Sequence, residues 1–127
     1  MKKGLTLQIV GGEYSICRLS PDSPIPVWVT REPFYSATAT ADELSVVCKS
    51  PHVPSGVRRE DGWKALRVTG PLDFSLTGIL AGLANPLADN GISIFAVSTF
   101  DTDYILVRAT DLKKAVTTLK AAGFAFA

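Results

Sequence analysis

Residues 95–107 read F-A-V-S-T-F-D-T-D-Y-I-L-V, two apolar runs on either side of S-T-F-D-T-D. Alternation and β-branched content make each run a strand, and the polar interval makes the pair a hairpin. A tight hairpin normally turns on Asn-Gly or a similar pair that accepts positive φ. Here no glycine is present. Thr99, Asp101, Thr102 and Asp103 surround an aromatic residue, Phe100, where a turn alone requires none of them.

Outward from the hairpin, the second half of the chain falls into a regular pattern. Trp63–Thr69 has strand composition and stops at Gly70-Pro71-Leu72-Asp73. Leu76, Ile79, Leu80, Leu83 and Leu87 then recur at the spacing of one helical face. Asp73 or Ser75 can cap that helix, and Asn90-Gly91 can close it in a left-handed residue. Pro86 predicts a kink near Asn85. Gly78 and Gly82 form a G-x-x-x-G pattern suited to close packing. Strands follow at Ile92–Ser98 and Asp103–Arg108. A second helix is capped by Asp111, carries Leu112, Ala115, Val116 and Leu119 inward, and stops at Gly123. The terminal F-A-F-A leaves a short last strand. The order is β-α-β-β-α-β, an α+β ferredoxin-like arrangement.

The first half reads as a worn copy of the second. Tyr14–Ser20 aligns without gaps to Trp63–Thr69, and Thr40–Cys48 aligns to Thr99–Val107. The first copy is shorter between its aligned strands. S-P-D-S-P-I-P, with three prolines, cannot propagate the first helix, and S-P-H-V-P-S-G stands where the second would be. The expectation is a tandem duplication, with a degenerate unit at 1–60 and a complete one at 61–127. Units of that size are marginal alone and should share a core.

Composition bounds the function. The chain has 127 residues, is 46% hydrophobic and carries a net charge of +1, which fits one globular domain rather than a disordered chain. Its basic residues are scattered, and Arg58-Arg59 is followed at once by Glu60-Asp61, so no nucleic-acid footprint is expected. The apolar run near the N-terminus is too short for a signal peptide or a membrane span. A cytoplasmic protein with two reduced thiols, Cys17 and Cys48, is the expectation. These cysteines and the single His52 cannot complete a tetrahedral metal site unaided. His52, between prolines, reads as a solvated loop residue. No nucleophile elbow, phosphate loop or zincin motif is present, so neither a cofactor nor a metal is expected.

In a β-α-β-β-α-β sandwich the first two strands run parallel and end at one edge of the sheet. The loop after Thr69 and the hairpin 98–103 therefore leave from the same rim. Helix-start amides on the loop would suit a carboxylate. Asp101 and Asp103 would suit an ammonium, with Thr99 and Thr102 as hydrogen-bonding groups and Phe100 as an apolar or cation–π wall. Neighbouring acceptors for an anion and a cation match an α-amino acid. Read only as structure, the same residues are a helix cap, turn carboxylates and an interface aromatic. Asp101 and Asp103 acting as acid and base on an exposed hairpin are a poor basis for catalysis.

The stretches G-P-L-D-F-S-L-T-G-I-L (70–80) and G-I-S-I-F-A-V-S-T-F-D-T-D-Y-I-L-V (91–107) resemble the ACT-domain family. With R-L-S-P-D-S-P-I-P-V-W (18–28) and T-A-D-E-L-S-V-V-C (40–48), the chain is most similar to small bacterial proteins of two ACT-like units in tandem. Related units occur in cytosolic arginine sensors and in the regulatory part of aspartokinases. The resemblance implies a non-enzymatic regulatory module that binds an amino acid near a unit or subunit interface and forms a homodimer. It also implies ligand contacts at Asp73, Phe74, Ser75 and Gly78 and, on the hairpin, at Thr99, Phe100, Asp101 and Asp103. The G-P-L-D-F loop departs from the glycine-centred loop of serine-responsive members. Exchange of terminal strands between units is a further expectation, and a protein-interaction module without ligand is the alternative.

Overall fold

The computed structural model describes residues 5–69 and 77–127, which separate into two compact units. One is Gly12–Trp63. The other combines the residues up to Gly11 with Lys64–Ala127.

In the Gly12–Trp63 unit, β2 (Tyr14–Leu19), β3 (Ser36–Ala39) and β4 (Leu44–Lys49) join the first part of β5 (Arg58–Val68). Their order is β3-β4-β2-β5, with every pair antiparallel. Where helices were missing from the sequence pattern, 3-10 turns stand at Val27–Thr30 and Ser50–His52. The second turn stops because Val53, which precedes Pro54, is extended at φ −79 and ψ 122. The core holds Cys17, Val29, Leu44, Val46, Cys48 and Val53, and Val29 comes from the first 3-10 turn.

His52 is not a solvated loop residue. Its Nε2 lies 3.0 Å from Glu32 Oε2, while Lys49 Nζ lies 3.4 Å from Glu32 Oε1. Glu32 thus ties the segment after the first 3-10 turn to the end of β4. The hydrogen bonds from His52 and Lys49 hold its carboxyl below the ordinary value of 4.5.

The second unit contains β1 (Thr6–Ile9), the rest of β5, α1 (Ile79–Asp89), β6 (Ile94–Ser98), β7 (Asp103–Arg108), α2 (Leu112–Ala121) and β8 (Ala125–Phe126). Its order is β8-β1-β5-β7-β6. The last strand does not pair with β5. Instead β1 occupies that place, antiparallel to β5 through Leu7↔Val68 and Ile9↔Leu66, and β8 pairs parallel with β1. The N-terminal strand thereby completes a sheet whose other members lie more than fifty residues along the chain. Leu7, Leu66, Val68, Leu83, Leu87, Ile105, Val107, Ala115 and Leu119 form the core between sheet and helices.

Both helices end as the glycines predict. Gly91 at φ +71 lets Ile92 N–H reach Leu87 O at 2.9 Å and Gly91 N–H reach Ala88 O at 3.0 Å. Gly123 at φ +103 repeats this with Phe124 N–H to Leu119 O at 3.0 Å. Each pattern is a Schellman motif, and Ile92 and Phe124 seal it apolarly.

The helix starts differ from expectation. α1 begins at Ile79 behind Gly78, an N-cap at φ +72 without a side-chain cap bond. Asp73, Ser75 and Leu76, expected in its first turn, lie outside the described residues. Gly78 is thus a junction rather than a packing glycine inside the helix. Asp111 holds the N-cap position of α2 but makes no cap bond, because Ala109–Asp111 is already a 3-10 turn. Strand β6 starts at Ile94, since Ile92 is used by the helix stop.

Two measurements probe these ties. Leu7→Ala should lower stability by about 2–5 kcal/mol and speed amide exchange at Leu66–Val68; unchanged exchange there would contradict the insertion of β1. Glu32 carries a depressed folded pKa, so its contribution is present above 4.5 and is lost as pH falls through the folded value. In acid unfolding, Glu32→Gln should therefore flatten the decline below that pH, and a curve parallel to wild type would contradict the tie.

Candidate functional site

The hairpin between β6 and β7 turns without glycine because a threonine hydroxyl does the work. Thr99 N–H donates to Thr102 O at 2.8 Å and Thr99 Oγ1 donates to the same carbonyl at 3.0 Å. Thr102 N–H returns a bond to Thr99 Oγ1 at 3.1 Å. A hydroxyl that bonds nearby backbone in this way replaces the special backbone of a glycine turn. Among the described residues no non-glycine residue has positive φ. Ser98 Oγ donates to Asp103 Oδ1 at 2.7 Å across the base of the loop.

The same turn occurs in the first unit. Thr40 N–H donates to Glu43 O at 2.9 Å, and Glu43 N–H donates to Thr40 Oγ1 at 3.1 Å. Both threonines precede the strand that the sequence alignment matches, Thr40 before β4 and Thr99 before β7. The 3-10 turns after these strands, Ser50–His52 and Ala109–Asp111, stand at the same relative place.

A third hydroxyl sets the position of the loop. Thr102 is 5% exposed and donates its Oγ1 to Val68 O at 2.6 Å. Val68 is the last residue of β5. The hairpin base and the exit of β5 thus share one rim. The sequence marked Thr102 as a hydrogen-bonding group of the hairpin but not its partner, a backbone carbonyl, which leaves no residue-type signature.

The expected site residues separate under this geometry. Asp73, Phe74 and Ser75 lie outside the described residues. Gly78 is the exposed N-cap of α1. Thr99 spends its hydroxyl on the turn, and Asp103 is half-buried with one oxygen held by Ser98. Phe100, 79% exposed, and Asp101 project at the tip. Asp101 makes no hydrogen bond or ion pair among the described residues, so its carboxylate remains available.

Elsewhere in this unit, a groove of about 420 Å³ lies along the C-terminal ends of α1 and α2, lined by Pro86, Asp89, Asn90, Thr117, Thr118, Ala121 and Ala122. None of the expected site residues lines it. Among the described residues, no group of His, Cys, Asp or Glu side chains could hold a metal, and no helix is long and apolar enough to cross a membrane.

Comparison with known proteins follows the same division of the chain. The ACT domain family matches residues 58–121, and a second family, described as an N-terminal domain, matches residues 12–56. The crystal structure of protein Atu0741 from Agobacterium tumefaciens is similar, at 44% identity and a TM-score of 0.92, covering 97% of this chain and 92% of that one. The human cytosolic arginine sensor for mTORC1 subunit 1 is 46% identical over 46 residues, 35% of this chain and 14% of that protein. Human CASTOR3P is 34% identical over 96 residues, and the chain spans 59% of its length. The regulatory subunit of aspartate kinase from Thermus thermophilus shares the fold, at a TM-score of 0.61 and 12% identity, over 90% of this chain and 98% of that one. More than half of the chain, including both strands of the hairpin and both helices, is thus matched by one family, and the chain belongs to the ACT domain family.

Proposed function

We propose that the protein is a non-enzymatic regulatory module that binds a free amino acid at the rim shared by the hairpin 98–103 and the loop 70–78. The Thr102–Val68 bond supports this reading, because it holds the base of the hairpin against the end of β5, and the 70–78 stretch follows β5 in the sequence. Asp101 supplies a carboxylate for the ligand's ammonium, and Phe100 supplies an apolar wall. Asp73, Phe74, Ser75 and Gly78 form the opposite side and receive the ligand's carboxylate. Thr99 and Asp103 act from behind the tip, shaping the turn that presents Asp101. The family membership and the name of the human arginine sensor support an amino acid as the ligand class.

Magnitude adds a requirement. A charged hydrogen bond contributes about 1.5–3 kcal/mol and an anion at a helix start about 0.3–2 kcal/mol, against about 8 kcal/mol for micromolar binding. One hairpin and one loop fall short, so a second unit or subunit closes the site, and the protein acts in the cytoplasm as a homodimer. The repeated threonine turn and the matched 3-10 turns support an origin by tandem duplication, with 1–60 the degenerate copy and 61–127 the complete one.

A thermal-shift screen of the proteinogenic amino acids tests the reading. A ligand at about 100 times its Kd adds about 2.7 kcal/mol of stability, and Asp101→Ala abolishes that shift while leaving ligand-free stability within about 0.5 kcal/mol. No shift with any amino acid would sink the proposal. Thr102→Val strands the Val68 carbonyl, costs about 1–3 kcal/mol and weakens ligand binding although the side chain never meets the ligand. The exposure of Phe100 favours a second reading, a protein-interaction module without ligand. That reading predicts a stoichiometric partner lost on Phe100→Ala and indifferent to Asp101→Ala.

A further inference from the structure

The two cysteines of the chain lie together. Cys17 on β2 and Cys48 on β4 are free thiols buried in the core of the Gly12–Trp63 unit. β2 and β4 are antiparallel neighbours, with Ser15 opposite Cys48 and Cys17 opposite Val46. Facing residues share a face of the sheet, as do residues two apart, so the cysteines are diagonal neighbours on one face. The two thiols lie close enough to act on each other's ionisation. The neighbouring Cys17 thiol and the Arg59 guanidinium draw the Cys48 thiol below its ordinary range. The neighbouring Cys48 thiol, and then burial, push the Cys17 thiol up. The pair is therefore unequal, one sulfur disposed to be a thiolate and the other to keep its proton.

The cover over this pair is slight. A helix would shield the corresponding face of a complete unit, but here the segment offers the four-residue 3-10 turn Val27–Thr30, with Val29 buried and Trp28 packed beside it. Short 3-10 turns have poorer hydrogen-bond geometry than an α-helix, and weakly bonded segments open at lower free energy than core strands. Brief opening of this turn admits a small oxidant without unfolding the sheet.

We infer that Cys17 and Cys48 form a redox-active dithiol that hydroperoxides oxidise to a disulfide within one chain. The Cys48 thiolate attacks the peroxide and the O–O bond breaks. The departing oxygen takes a proton and leaves as water or an alcohol, and Cys48 becomes a sulfenic acid. Cys17 then attacks that sulfur, its proton joins the departing hydroxyl, and water leaves as the S–S bond forms. Two thiols lose two hydrogens, and one hydroperoxide is reduced. Diagonal neighbours must be drawn closer than the ladder holds them, so the disulfide is strained and easily reduced by small thiols.

The test treats reduced, folded protein with stoichiometric hydrogen peroxide, alkylates it, and maps the digest by mass spectrometry. The expected product is a monomer with a 17–48 cross-link that dithiothreitol removes. Cys17→Ser should stop at a Cys48 sulfenic acid trapped by dimedone, and Cys48→Ser should leave Cys17 reacting about tenfold more slowly. Val29→Ala, which thins the cover, should speed bond formation. Full alkylation of both cysteines in peroxide-treated wild type would overturn the inference, as would cross-links only between chains or separate over-oxidation of each sulfur. The wild-type map decides the matter even if a serine variant fails to fold.

Discussion

One hydroxyl-to-carbonyl bond determines what the rim of this sheet can do. Thr102 Oγ1 reaches Val68 O at 2.6 Å from a nearly sealed position. A buried carbonyl without a partner costs about 1–3 kcal/mol, so the bond holds the hairpin base against the end of β5 rather than leaving it free to swing. The Thr99 turn then fixes the direction of the tip, and Ser98 braces Asp103 beneath it. Rigidity at the base and an available carboxylate at Asp101 together describe a presenting element. A connection made only to reverse the chain would need neither.

The second constraint is topological. β1 stands between β5 and β8, where a self-contained β-α-β-β-α-β unit would place its own last strand. With only Ala125–Phe126 as its final strand, the second unit depends on Leu7 and its neighbours to complete the edge of its core. The Gly12–Trp63 unit closes its core differently. It covers its core with 3-10 turns and ties the cover down through Glu32 to His52 and Lys49. That economy leaves the Cys17–Cys48 pair beneath a slender lid.

Much of the fold was legible because local chemistry dictates it. Glycines after Asn90 and Ala122 adopt the positive φ that ends a helix, and the alternating runs around the hairpin have no other stable use. The prolines of 20–26 and of 51–54 foretold that no α-helix forms there, and 3-10 turns stand beside them. Other features escaped for physical reasons. Four residues of β1 carry too little pattern to name a partner so distant in sequence. The partners of His52 and Thr102 are a glutamate in a loop and a backbone carbonyl, and neither contact follows from periodicity. Asp111 looked like a cap because aspartate favours that position, but the preceding 3-10 turn made the cap bond unnecessary. At the site, Phe100 and Asp101 stand exposed at the tip, whereas Thr99 is committed to the backbone.

The central claim is that ligand binding belongs to the rim that Thr102 organises. Amide chemical-shift mapping of labelled protein titrated with amino acids measures this most directly. The account predicts perturbations concentrated at 98–103 and at the two flanks of the 70–76 loop. Perturbations confined to the helix ends around Asp89 and Thr118, with the hairpin silent, would contradict it.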